Sequence, residues 1–318
     1  MRVFITGAGL IGSHSAKELT EKGHRVWFYD LSPNVKYIEA VAGKKNIHVL
    51  QGDLLDLPAL LRGMKEARPD VVVHTAGFIG SQVSNPPYRG VRTNILGSTN
   101  VFEACQLSRV GRIVHISTFG VYDWENIRRG PVSESFPRGG RTFYGATKVA
   151  NELLLGAYES FYDLETVVIR PASAYGPGHY RGGSGGGKNM SDLARACLSD
   201  GPITLYEKRI GSNDFVYAGD VGRGVALACV KEKAAGKAFN IGSGEIYGPE
   251  DFKRVLLKIL PGREITVAKD DAAGRAGNER LRLDLSQSSR VLGYAPKYPL
   301  EKGLRDYLDH CRRFGFWA

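Results

Sequence analysis

The sequence predicts an α/β protein built on a doubly wound parallel sheet, with a smaller α/β region toward its C-terminus. Three observations carry that expectation. Short, continuously apolar runs alternate with helix-length stretches through the first half of the chain. A glycine-rich turn joins the first run to the first helix, and the alternation loosens after Arg170. Strands apolar at consecutive positions suit burial on both faces, the condition inside a parallel sheet covered by helices.

In chain order the strand-like runs fall at Arg2–Thr6, 24–29, 47–50, Val71–His74, 113–117 and 166–170. Residues 11–22, 58–66, 94–107 and 146–161 lie between them and are long enough for helices. Strand–helix–strand alternation of this kind winds a parallel sheet, whose ligands sit at the carboxyl ends of the strands near the point where strand order reverses. After Arg170 the segment from Gly176 to Gly187 carries seven glycines, with the basic residues His179 and Arg181 within it and Lys188 just after, and reads as a mobile loop. DFVYAGD (214–220) and AFNIGSG (238–244) then read as strand-like, with helices near 249–260 and Leu300–Phe314.

Composition narrows the class. Of the 318 residues 42% are hydrophobic and 24% charged, which suits a globular core and excludes a disordered chain. No apolar run approaches the ~20 residues that span a bilayer, and the N-terminus lacks a signal-peptide shape, so neither a membrane partner nor secretion is expected. The net charge is +10, but the basic residues are scattered, with pairs such as Arg128-Arg129 and no long run. Nucleic acid is therefore not an expected partner; a weak pull on an anionic small ligand is. The four cysteines form no CxxC pair and the seven histidines no HExxH spacing. Free thiols in a reducing cytoplasm, and no metal, are expected.

The first site is a phosphate loop. Residues 6–12 read TGAGLIG, with Gly7, Gly9 and Gly12 in G-x-G-x-x-G order between a strand and a helix that begins with Leu10 and Ile11. The first glycine makes the turn, the second admits a pyrophosphate, and the third lets helix pack on strand. Asp30 ends the next strand, 18 positions beyond Gly12. A carboxylate there accepts from the ribose 2′-OH of NAD and repels the 2′-phosphate of NADP, and Leu31 supplies no arginine to reverse that preference. NAD is thus the expected cofactor. Asp53 and Leu54 after the third strand, and Thr75, Ala76 and Gly77 after the fourth, are placed to line the same crevice; His74 reads as a packed strand-end residue. On this reading residues 1–170 form a Rossmann-type NAD-binding domain to which about 214–235 returns, and 171–318 form mainly a substrate-binding region.

The second site is Tyr144-Gly-Ala-Thr-Lys148. At i and i+4 on a helix the two side chains share one face. A tyrosine with an ordinary pKa near ~10 is a poor base, and a lysine ammonium one turn away is expected to favour the phenolate. Such a pair exchanges a proton with a substrate hydroxyl or carbonyl oxygen while nicotinamide exchanges hydride. Ser117 and Thr118, at the carboxyl end of the fifth strand, offer hydroxyls to orient that oxygen.

With these motifs in place the chain resembles the extended short-chain dehydrogenase/reductase superfamily, in its NAD-dependent epimerase/dehydratase family, and is similar to the UDP-glucose 4-epimerase-like enzymes. The likeness is carried by TGAGLIG, Asp30, GDL (52–54), HTAG (74–77), Asn94, ISTFGVY (116–122), YGATK (144–148), RPASAYGPG (170–178), DFVYAGD and FNIGSG (239–244). It implies that Tyr144 is the general acid/base, that Lys148 tunes it and binds the nicotinamide ribose, and that Thr118 is the hydroxyl partner beside Ser117. It places Asn94 and Pro171 at the cofactor. Substrate would meet Phe78, Thr118, Phe119, Tyr144, Ser173 and the loop residues Arg181, Lys188 and Asn189, with Asn189 capping the helix that follows. It also implies a homodimer through the helices at 94–107 and 147–161, using Val101, Ala104, Val149, Leu153 and Leu154.

Departures from the family pattern bear on the reaction. Dehydratases carry Asp-Glu after the catalytic threonine, where this chain has Phe119 and Gly120, so water elimination is disfavoured. Three nucleotide-binding markers also differ: Ser173 replaces an asparagine, Asn213 replaces an arginine, and the late Arg-Pro-Gly-Asp is the looser Arg275-Ala-Gly-Asn278. The expectation is an NAD-dependent, epimerase-like enzyme acting on a secondary alcohol of a sugar or nucleotide-sugar. The alternative is an NAD-dependent dehydrogenase or reductase of a small hydroxylated substrate, sugar acids included.

Overall fold

Among the described residues eleven strands follow one another: β1 (Arg2–Thr6), β2 (Arg25–Asp30), β3 (Ile47–Gln51), β4 (Val71–His74), β5 (Arg112–Ile116), β6 (Glu165–Pro171), β7 (Ser173–Tyr175), β8 (Ile203–Tyr206), β9 (Phe215–Tyr217), β10 (Lys237–Ile241) and β11 (Ile265–Ala268). The computed structural model describes residues 1–178, 185–269 and 281–316. Seven of the strands form one parallel sheet in the order β10-β6-β5-β4-β1-β2-β3. The order reverses between β1 and β4, which opens a crevice above their carboxyl ends.

Alternate residues of each central strand enter different cores, which is why the runs are apolar throughout. Val3 and Ile5, Val26 and Phe28, Val71 and Val73, and Val167 and Ile169 pack on one face. Phe4, Trp27, Tyr29, Val72 and Ile113 pack on the other. The helices Leu10–Glu21 and Ala218–Val230 cover the first face, and Leu57–Ala67, Ser98–Leu107 and Phe143–Phe161 the second. Local chemistry starts these helices. Asp56 accepts from Ala59 N, and Thr142 accepts from Gly145 N, each satisfying an otherwise unpaired first-turn amide.

Beyond β6 the chain builds two small parallel pairs, β7 with β9 and β8 with β11, over a second core that includes Tyr175, Met190, Phe215, Phe252, Leu256, Leu304 and Tyr307. β10 then joins the edge of the main sheet beside β6. Two sequence expectations change here. DFVYAGD is strand only through Tyr217; Ala218 already begins a helix, because Asp220 turns inward and accepts from Lys297 N and Tyr298 N. Residues 92–97 form a wide helical turn ahead of Ser98, so the helix expected from 94 is not uniformly α. All four cysteines are buried free thiols. Among the described residues no helix is long and apolar enough to cross a membrane.

Candidate active site

One cavity of about 1380 Å³ runs along the carboxyl ends of the sheet. It exceeds the range of about 300–1,000 Å³ that holds a single drug-sized ligand, so it has room for a dinucleotide and a second molecule.

At one end lies the loop after β1. Gly7 adopts φ +88°, and a Cβ there would sit 2.7 Å from the Ala76 backbone nitrogen, so both conformation and space demand glycine. A Cβ on Gly12 would strike the Gly7 carbonyl, which fixes how closely the helix Leu10–Glu21 approaches its strand. A Cβ on Gly9, by contrast, meets nothing within 4 Å. That opening, beside a helix start with no side-chain cap, is a cradle shaped for a phosphate group. Gly7, Gly9, Leu10, Ile11, Asp30, Asp53 and Leu54 line the cavity, as do Thr75, Ala76, Gly77 and Pro171. The residues present thus fit a nicotinamide dinucleotide.

Several of these side chains also hold the site together. Asp30 accepts from Ala8 N with one oxygen and from Ser32 N with the other, each at 2.8 Å, which ties the phosphate loop to β2. Thr75 donates to the Thr6 carbonyl at 2.8 Å. Asn94 does not line the cavity. It is buried behind the wall, accepting from Phe78 N at 2.7 Å and donating to Phe78 O at 2.9 Å, so it braces the loop after β4. Gly12 likewise acts from behind, by packing. His74 is interior, bonded to Thr6 and Ser98, and burial pushes its pKa down to about 3.

Near the middle of the cavity Tyr144, Lys148 and Thr118 come together. Gly145 permits this: a Cβ there would lie 2.8 Å from the Gly120 carbonyl, so the helix Phe143–Phe161 can abut the turn that carries Thr118. The Thr118 hydroxyl bonds Tyr144 and also accepts from Gly120 N at 3.1 Å. Lys148 Nζ donates to the Ile116 carbonyl at 2.7 Å and stands 6.0 Å from the Tyr144 ring centroid. Burial dominates both titrations. It pushes Tyr144 up to about 12, with the Thr118 bond opposing, and pulls Lys148 down to about 8, with the Glu152 charge opposing. The expectation that the Tyr144 pKa is lowered is thus corrected for this state: burial of the phenol raises it, and the opposing influence is the Thr118 bond. Ser117 also differs from expectation. Its hydroxyl donates to Glu152 at 2.5 Å, whereas the Thr118 hydroxyl is the one that bonds Tyr144.

At the far end Phe78, Phe119, Ser173 and Asn189 line the cavity. Lys188 does not; it pairs with Asp192 on its own helix. Asn189 lies inside the helix Gly185–Leu198 and donates to the Arg209 carbonyl at 2.7 Å, so it does not cap that helix. Residues 185–188 of the expected mobile loop are helical, while Arg181 and the Arg275-Ala-Gly-Asn278 segment lie outside the described residues. The sequence reading missed Arg89, Arg92, Arg141 and Lys208, which join Arg209 in this wall. Their signal was present for Lys208-Arg209, a basic pair a few residues before Asn213. The other three are scattered in sequence and only the fold gathers them.

The model of the NAD-dependent epimerase/dehydratase family matches residues 3–242, and the chain belongs to that family. It is similar to the UDP-glucose 4-epimerase of Mycolicibacterium smegmatis, 29% identical over 98% of this chain and 99% of that protein. It is also similar to a dTDP-glucose 4,6-dehydratase of Actinoplanes sp., 27% identical over 100% and 99%. Among solved structures it resembles the UDP-glucuronic acid 4-epimerase of Bacillus cereus in complex with UDP-glucuronic acid and NAD, with a TM-score of 0.82, 27% identity, and coverage of 98% and 99%. The protein is an NAD-dependent enzyme of the extended short-chain dehydrogenase/reductase type, epimerase-like in its action on a secondary alcohol. The dehydrogenase alternative is not favoured.

Proposed function

We propose that the protein epimerises a nucleotide-sugar at a ring carbinol. The observation that carries this reading is the meeting of Tyr144, Lys148 and Thr118 in one cavity that is also lined by the glycine-rich phosphate cradle and by Arg89, Arg92, Lys208 and Arg209. The turn after Thr118 contributes Phe119 and Gly120, which supply no acid or base for eliminating water, so epimerisation is favoured over dehydration despite the dehydratase relatives.

NAD, when bound, supplies the hydride acceptor and donor. Tyr144, as the phenolate, takes the proton of the carbinol hydroxyl at its phenolic oxygen, and the phenol so formed returns it when the same carbon is reduced from its other face. Thr118 holds the reacting oxygen in line with that phenol. Lys148, with a pKa of about 8, is mostly an ammonium at neutral pH and stabilises the phenolate that accepts the proton. Arg89, Arg92, Lys208 and Arg209 supply the positive field for a diphosphate, which offsets the loss of an arginine at Asn213. The test is incubation with UDP-glucose and with UDP-glucuronic acid, followed by chromatography and absorbance at the reduced-nicotinamide band. A new epimer with no net reduced cofactor is expected. Accumulating reduced cofactor, or no epimer from either sugar, refutes the reading.

Asp30 sets cofactor choice in this proposal. The double change Asp30→Ser and Leu31→Arg should raise the NADP-to-NAD ratio of kcat/KM by at least about tenfold, since 1.4 kcal/mol of lost repulsion and gained pairing is one decade. An unchanged ratio means Asp30 does not read the ribose.

The enzyme also acts as a homodimer in this reading. Val101 and Ala104, expected at the interface, are fully buried in the protein's own core. On the partner helix Leu153, Ala157 and Phe161 form an exposed stripe at i, i+4 and i+8, with Leu153 56% and Phe161 82% exposed. Leu96 and Leu107 are exposed on the neighbouring helical segment. Leu153→Glu should convert a dimer to a monomer in light scattering at micromolar concentration; a wild-type monomer there would sink the assignment.

A further inference from the structure

Glu152 lies one turn beyond Lys148, so Tyr144, Lys148 and Glu152 form a ridge at i, i+4 and i+8 on the helix Phe143–Phe161. The glutamate side chain is only 3% exposed. A carboxylate so placed persists as an ion only where its charge is met. Groups from three other segments meet it. Ser117 at the end of β5 donates to Oε1 at 2.5 Å. Arg170 on β6 donates from Nε to Oε1 at 3.0 Å and from Nη2 to Oε2 at 2.7 Å. Arg138 reaches Oε2 at 3.3 Å from the loop before the helix. Arg170 is itself fixed by bonds to the Tyr122 hydroxyl and the Glu134 carbonyl, at 3.1 and 3.0 Å.

We propose that Glu152 is a positioning residue of the active site: its anchored carboxylate is the counter-charge that keeps the Lys148 ammonium charged on the face shared with Tyr144. The inference rests on the assignment of Tyr144 and Lys148 made above. The partner that Lys148 Nζ bonds, the Ile116 carbonyl, is neutral and cannot balance a buried cation. His74 on β4 and His115 on β5 also feel the Lys148 charge, and burial holds both neutral. Glu152 alone among these neighbours favours the ammonium, against a burial that opposes it. The tie to Ser117 has a second consequence, because Ser117 directly precedes Thr118. One carboxylate thereby holds both the strand end that presents the hydroxyl and the charge that tunes the phenol.

The test is an NMR titration of isotope-labelled lysine in the intact protein, with the Lys148 signal assigned by its loss in Lys148→Arg. The wild-type midpoint should fall at about 8. In Glu152→Gln it should move down by about half a pH unit or more, while Glu152→Asp, which keeps the charge, should stay near wild type. The alkaline limb of epimerisation, where Lys148 loses its proton, should follow the same order. If Glu152→Gln does not fold, E152Q/R170M removes both buried charges so that neither is left unpaired; loss of the Arg170 cation pushes the other way, so a smaller downward shift is expected. A Lys148 midpoint unchanged in whichever of these variants folds overturns the proposal and leaves Glu152 a purely structural anchor. The titration needs no substrate, so a failure to find any epimer would count against the proposed reaction and not against this role.

Discussion

Tyr144→Phe is expected to lower kcat by about 10²- to 10⁴-fold, the usual worth of a positioned acid or base, with little change in NAD affinity. The substitution removes one oxygen and its proton and leaves the ring that stands beside Lys148. The split between rate and binding matters because burial raises the Tyr144 pKa to about 12 in this structure. A phenol held neutral begins as a hydrogen-bond donor and becomes a base only when positive charge stabilises its anion, so the oxygen contributes mainly while the proton moves. A variant keeping more than about a tenth of wild-type turnover would remove Tyr144 from the reaction.

The second large effect lies in the phosphate loop, where two glycines should behave differently. In Gly12→Ala the new methyl meets the Gly7 carbonyl, a backbone atom that cannot step aside without moving the helix from its strand. Overpacking of this kind costs about 1–3 kcal/mol, so a lower Tm and a loss of NAD binding of about tenfold or more should appear together. In Gly9→Ala the methyl meets no protein atom and projects into the cavity. Tm should then hold while NAD affinity falls. Equal stability losses in the two variants, seen in parallel thermal melts and cofactor titrations, would show that the space at Gly9 is not the phosphate cradle.

Much of this site was legible because its elements are local. Thr6 to Gly12 encode strand, turn and helix within seven residues, and Gly7 and Gly12 have steric reasons that the structure makes explicit, while Gly9 faces open space. The spacing of Tyr144 and Lys148 is a property of any helix, so their shared face needed no tertiary information. What the spacing could not reveal was the dielectric around them. The direction of the Tyr144 shift was misread because a pair of charges on one helix face was considered without the core that encloses it, and desolvation is a property of that enclosure.

The roles of Ser117, Asn94 and Lys188 show the same boundary. Each is a polar residue beside a motif, and sequence adjacency offered all three to ligands; Ser117 does line the cavity, and Asn94 and Lys188 do not. The fold instead gives each a closer partner: Glu152 for Ser117, the Phe78 backbone for Asn94 and Asp192 for Lys188. A side chain's use depends on which acceptor or donor lies within about 3 Å, and for Ser117 and Asn94 that partner is 16 to 35 positions away in sequence.

The sequence by itself determined the parallel sheet, the phosphate loop, the cofactor class and the shared helix face of Tyr144 and Lys148, because hydrophobic period, glycine conformation and helical spacing are set by neighbours along the chain. Only the tertiary structure decided which hydroxyl bonds the phenol, which cations line the cavity and which groups surround Glu152. Those depend on segments as far apart as Arg89 and Arg209, or Ser117, Arg138, Glu152 and Arg170, which nothing but the closed fold brings within reach of one another.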